Sequence, residues 1–158
     1  MMIARGFALL IFAATTGCAT EKAVTTSAAT LNIPMTPGVE TPVCPSAGGS
    51  ASGTATIIVA PDNSSITSTI SYAGLSGEAT AAHFHFGKPG TAGPVVLPFS
   101  GSLASPFSKT FTVADYVAAA GAPPDFPSFV VALKAGGSVY VNVHTAACKP
   151  GEIRGDIP

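Results

Sequence analysis

A chain of 158 residues in which only 9% of side chains are charged, with a formal net charge of −1, has no basic patch with which to hold nucleic acid, because its few Lys and Arg are scattered along the sequence. Nucleic acid is excluded as a partner. Once a leader is removed, the length suits one domain with a single hydrophobic core.

The first nineteen residues, MMIARGFALLIFAATTGCA, carry one positive charge at Arg5, an apolar run over 6–14 and then small residues, the pattern of a bacterial export signal. The apolar run is too short to cross a bilayer core of roughly 30 Å. TTGC at 15–18 resembles the lipobox of bacterial lipoproteins, whose cysteine is lipidated and becomes the first mature residue, although Thr15 stands where that group usually has Leu. The resemblance implies an export signal over 1–18 and a membrane anchor through lipid on Cys18. Ala19, rather than Asp, after the cysteine implies the outer membrane by sorting analogy. The alternative is ordinary signal peptidase cleavage after Ala19 and a soluble secreted or periplasmic protein; either way the chain leaves the cytoplasm. Residues 19–50, rich in Thr, Ala, Ser, Gly and Pro without a sustained apolar period, read as a flexible tether, with the domain over 51–158.

Cys44 and Cys148 are the pair left once Cys18 is removed or acylated, and in an oxidising compartment a pair most simply forms a disulfide. Closing a loop of about a hundred residues adds about 4 kcal/mol in the chain-entropy account.

From Gly53 onward, short segments rich in β-branched residues alternate with turn formers: 53–60, 65–73, 80–86, 93–99, 106–113, 138–145 and 151–157. PDNS at 61–64 separates the first two. Runs at this spacing predict an all-β sandwich or barrel. Two stretches, 114–121 and 126–137, predict a helical turn or short helix each, the second ended by Gly136 and Gly137.

All three histidines of the chain, His83, His85 and His144, fall on two of these strands. Because strand side chains alternate, Phe84 and Phe86 face one side and His83 and His85 the other. Val139, Val141 and Val143 likewise oppose Tyr140, Asn142 and His144. The apolar sets are the better core candidates, so the histidines are expected on the polar side. In 151–157, Ile153 and Ile157 point inward and Glu152, Arg154 and Asp156 outward.

AAHFHFG at 81–87, AGGSVYVNVHT at 135–145 and KPGEIRGDI at 149–157 together resemble the CHRD domain, the module first described in chordin. Departures are Phe86 before Gly87, Cys148 in the loop, and Asp156 in place of a more usual Gln. The resemblance implies an immunoglobulin-like Greek-key β-sandwich or barrel in an extracytoplasmic protein, and it implies little about activity. The His-x-His strand is also similar to the copper strand of copper/zinc superoxide dismutase, but that bimetallic site needs more histidines than the three in this chain, so such a dismutase is excluded.

A mononuclear site survives the count. Alternate residues on a strand stand about 6.6 to 7 Å apart, and their imidazoles can converge with a third on one ion at about 2.0 to 2.1 Å. Three neutral imidazoles suit Cu(II) or Zn(II), with copper favoured by the Irving–Williams order. The bland alternative is three polar residues on a strand face. Glu152 and Arg154, with Asn142 and Tyr140, read as structural polar residues anchoring the closing strands. Cys148, if reduced, offers a blue-copper alternative. No nucleophile elbow, Cys-His signature or phosphate loop supports an enzyme. Two readings remain: a noncatalytic module recognising a protein or a surface glycan, placed first, and a copper or zinc protein using His83, His85 and His144.

Overall fold

The computed structural model describes residues 27–158; the expected export signal, with Cys18, lies outside them. Eight strands, β1 (Ala29–Met35), β2 (Ser52–Val59), β3 (Ile66–Ala73), β4 (Ala79–Phe86), β5 (Val95–Pro98), β6 (Phe107–Phe111), β7 (Val139–Thr145) and β8 (Ile153–Ile157), form two sheets. Their orders are β1-β2-β3-β6 and β5-β4-β7-β8, antiparallel throughout. This is the expected all-β sandwich. At one side the sheets are joined by a bridge in which Thr36 and Arg154 exchange backbone hydrogen bonds of 2.9 and 3.1 Å.

Period-two alternation decides which side chains meet between the sheets. Ile57, Ile66 and Ile70 from one sheet pack with Phe84, Leu97, Val141, Val143 and Ile153 from the other, all fully buried. Each such side chain contributes about 1.5–3 kcal/mol by leaving water. Phe84 is the hub of an aromatic cluster, with its ring 5.7 Å from that of Phe111 and 5.9 Å from that of Phe99.

The helix expected over 126–137 is α1 (Phe126–Ala135). Asp125 caps it by accepting from the Ser128 N–H at 2.8 Å, a proline occupies its first turn, and Gly136 ends it at φ 73°. Phe126, Phe129, Val130 and Leu133 are buried at the i, i+3, i+4, i+7 spacing of an apolar stripe closing the core. Over 114–121, where a second helical piece is expected, only a 3-10 turn at Val113–Asp115 begins before the chain becomes irregular.

The tether expected over 19–50 is corrected over residues 29–50, which belong to the domain. β1 pairs with β2 along its whole length, and Ile33 and Met35 are core residues. The physical reason is alternation in ATLNIPM, with Leu31, Ile33 and Met35 on one face; Pro34 is tolerated because β1 is an edge strand.

A second correction concerns the polar side of the β4-β7-β8 sheet. Every residue of β7 is buried, as are Glu152 and Arg154, expected to point outward. The cause is a cover of three connections, 36–51, 87–94 and 146–151, whose backbone and side-chain groups bond to this face. The disulfide of Cys44 and Cys148, with Cα atoms 5.6 Å apart, ties the first connection to the third.

Candidate metal centre

The ladder brings the histidines together. β4 and β7 pair with Ala81 opposite His144, His83 opposite Asn142 and His85 opposite Tyr140, so His144 lies diagonally across from His83 on the same face. A bulge at Val96 of β5, opposite Phe84 and His85, interrupts the ladder beside the site. One ring nitrogen from each of His83, His85 and His144 lies within 4.8 Å of the other two. His85 and His144 are 7% and 9% exposed, and His83 is the more open of the three.

The hydrogens of two rings are fixed by their partners. His85 Nδ1 lies 2.8 Å from the Gly93 carbonyl and His144 Nδ1 2.8 Å from the Lys149 carbonyl. A carbonyl only accepts, so each Nδ1 carries the hydrogen and each Nε2 presents a lone pair. Those lone pairs point into one small volume, which His83 Nδ1 enters at 3.1 Å from His144 Nε2. Burial, the largest influence, lowers the pKa of all three histidines, that of His83 to about 4 with help from the two neighbouring rings. All three are therefore neutral at pH 7, the state a metal requires.

Asn142 stands at the centre of the same volume. Its Oδ1 is 3.1 Å from His85 Nε2 and 3.0 Å from His144 Nε2. Its Nδ2 is turned the other way, 3.4 Å from the Pro150 carbonyl and 3.5 Å from Glu40 Oε2. Glu40 is buried on the covering connection, and burial raises its pKa. A Cβ at Gly151, where φ is 139°, would overlap this carboxylate, so glycine is required for the third connection to close over the first.

Tyr140 and Arg154 brace the other side. The Tyr140 ring stacks on His85, with centroids 4.6 Å apart and planes 5° from parallel, and the Arg154 guanidinium sits 3.4 Å from the Tyr140 centroid. Arg154 donates to Asp156 at 2.8 Å and to the Thr91 and Lys88 carbonyls at 2.8 and 3.1 Å, holding down the 87–94 connection whose Gly93 carbonyl orients His85. A Cβ at Gly93 would overlap the Phe86 carbonyl, so the connection reaches His85 only with glycine there. Glu152 is remote from the histidines in its bonding. It accepts from the Gly48 and Ser76 N–H groups at 2.9 and 2.6 Å and from the Ser76 and Thr145 hydroxyls at 2.6 Å each, and these four bonds hold its pKa down against the effect of burial.

The fold and these residues coincide with a known module: the family described as CHRD domain matches residues 31–157. The chain belongs to the CHRD domain family. The match begins within β1, in agreement with the corrected domain start. No curated protein and no solved structure matches the chain.

Sequence reasoning assigned Asn142 only a structural part and missed Glu40 altogether. Glu40 is the one charged residue between 23 and 61, but a lone carboxylate in a stretch expected to be solvated costs nothing, so its burial became visible only with the fold. Cys148 is committed to the disulfide, which removes the thiolate that a blue-copper site needs.

Proposed function

We propose that this CHRD domain is a noncatalytic binding module whose ligand is one copper or zinc ion, held by His83, His85 and His144. The observation that carries the reading is the fixed direction of the lone pairs. Histidines that merely decorate a sheet face need no shared target, whereas here two Nδ1 hydrogens are spent on backbone carbonyls, His144 Nε2 faces His83 Nδ1, and one ring nitrogen of each of the three lies within 4.8 Å of the other two. A carbonyl behind each ligating imidazole is the arrangement that fixes tautomer and orientation in metal sites. In the metal-free chain the His83 Nδ1 hydrogen donates to His144 Nε2; moved to His83 Nε2, it leaves a third ligand atom. Two ligands at about 2.1 Å from one ion stand at most about 4.2 Å apart, so loading draws the rings, now within 4.8 Å, slightly together. Imidazole donors favour copper over zinc by intrinsic affinity. His83, the least covered ring, marks the side of entry.

The test is calorimetric titration of the oxidised mature chain with Cu(II) and Zn(II), beside a variant carrying His83→Ala, His85→Ala and His144→Ala. One equivalent bound more tightly than about 1 μM by the parent and not by the variant is expected. Equal weak binding by both sinks the metal reading and returns the module to a protein or surface glycan partner.

A further inference from the structure

We infer that Asn142 Oδ1 is a fourth ligand of this site and that Glu40 is the positioning residue that turns it there, making the centre a three-nitrogen, one-oxygen set suited to a divalent ion rather than to Cu(I). The inference rests on the three-histidine reading above and goes beyond it in donor set and in the charge of the ion.

A side-chain amide beside two lone pairs would ordinarily present its NH2 group, which has two hydrogens to give. Asn142 does the reverse. Its Oδ1 stands 3.0 and 3.1 Å from His144 Nε2 and His85 Nε2; His144 Nε2 already takes the His83 Nδ1 hydrogen, and Oδ1 and His85 Nε2 are left as two acceptors with no hydrogen between them. Buried acceptors left facing one another cost free energy, and a cation among them turns that cost into coordination. The NH2 group is meanwhile directed at the Pro150 carbonyl and the Glu40 carboxylate. Turning the amide over would satisfy the histidines and set Oδ1 against those two acceptors. Glu40 therefore selects the orientation that leaves oxygen toward the histidines, the role outer partners play at metal sites. An amide oxygen is a hard donor; it adds to the affinity for Zn(II) or Cu(II) and little to that for Cu(I), which favours softer ligands.

The experiment compares the oxidised mature chain with Asn142→Leu by Zn(II) competition titration, Cu(I) competition titration and visible absorption of the Co(II)-loaded protein. Asn142→Leu is expected to weaken Zn(II) about 10- to 100-fold, to change the Co(II) spectrum, and to leave Cu(I) affinity at the parent level. The paired variant Asn142→Asp with Glu40→Gln keeps an oxygen facing the histidines and a donor behind it, and is expected to regain Zn(II) binding. Glu40→Ala, which leaves Asn142 in place but frees its amide to turn, is expected to weaken Zn(II) as well, and it carries the test should Asn142→Leu fail to fold. A folded Asn142→Leu chain that binds Zn(II) as tightly as the parent, or more tightly, overturns the inference: the amide then donates to the histidines and competes with the metal. That failure is distinct from failure of the three-histidine reading, in which the triple His→Ala variant and the parent bind alike.

Discussion

At the scale of single residues, the three histidines couple the stability of the fold to pH through their burial. Their folded pKa values lie below the ordinary 6.5, that of His83 at about 4. Between these values the unfolded chain takes up protons that the folded chain refuses, so the stability they contribute is complete above pH 6.5 and falls as the pH drops toward 4. Glu152, whose folded pKa is lowered from 4.5, contributes stability that is lost in a different window, below 4.5. Glu40, raised from 4.5, acts with the opposite sign, its contribution fading as pH rises through its folded value. Denaturant unfolding of the metal-free parent is therefore expected to show a lower midpoint at pH 5 than at pH 7.5, and the triple His→Ala variant a smaller drop. An equal drop in both would assign the slope to other groups. That His83, His85 and His144 gather on one face was legible in the sequence because His-x-His on an alternating strand has only one face to occupy. The part of Asn142 was not, because which end of an amide faces a site depends on partners supplied by Glu40 and Pro150, distant in the chain.

At the scale of elements, the seven runs from 53 onward were readable because each alternates or is β-branched and ends at a turn former. β1 was not, since its alternating apolar residues sit among Thr, Ala and Pro, a composition shared with linkers. Missing β1 also hid the connection after it, and with it the burial of the polar sheet face. That cover meets the site through the Gly93 carbonyl from 87–94, the Lys149 and Pro150 carbonyls from 146–151, and the Glu40 side chain from 36–51. The disulfide joins the last two of these pieces, with Cys148 one residue from Lys149 and Cys44 four from Glu40. Replacing both cysteines by Ala is expected to reduce stability by up to about 4–5 kcal/mol in the chain-entropy account and, separately, to weaken Zn(II) binding by loosening both covers. Unfolding curves and titrations of the two proteins check each part. A variant that is less stable yet binds Zn(II) with parental affinity would show that hydrogen bonds alone hold the covers over the site.

At the scale of the whole molecule, the corrected domain start changes what an anchor would do. With β1, the first described strand, beginning at Ala29, ten residues, 19–28, separate Cys18 from it, in place of the thirty-two of the expected tether over 19–50. Fully extended, ten residues span at most about 35 Å, so a lipid on Cys18 would keep the domain close to the membrane surface. The disulfide is compatible with an oxidising, extracytoplasmic setting, and among the described residues no helix is long and apolar enough to cross a membrane. We propose that the chain is exported and anchored through Cys18. Metabolic labelling of the full chain in a bacterial host with a clickable fatty acid is expected to mark the parent, which should sediment with membranes, and not Cys18→Ala. An unlabelled parent in the soluble extracytoplasmic fraction, its mature terminus starting after Ala19, would overturn the anchor and leave the same three-histidine cluster on a freely diffusing protein. The distinction bears on the proposed function, because a tethered site would exchange metal with neighbours on one surface, whereas a free one would carry it between surfaces.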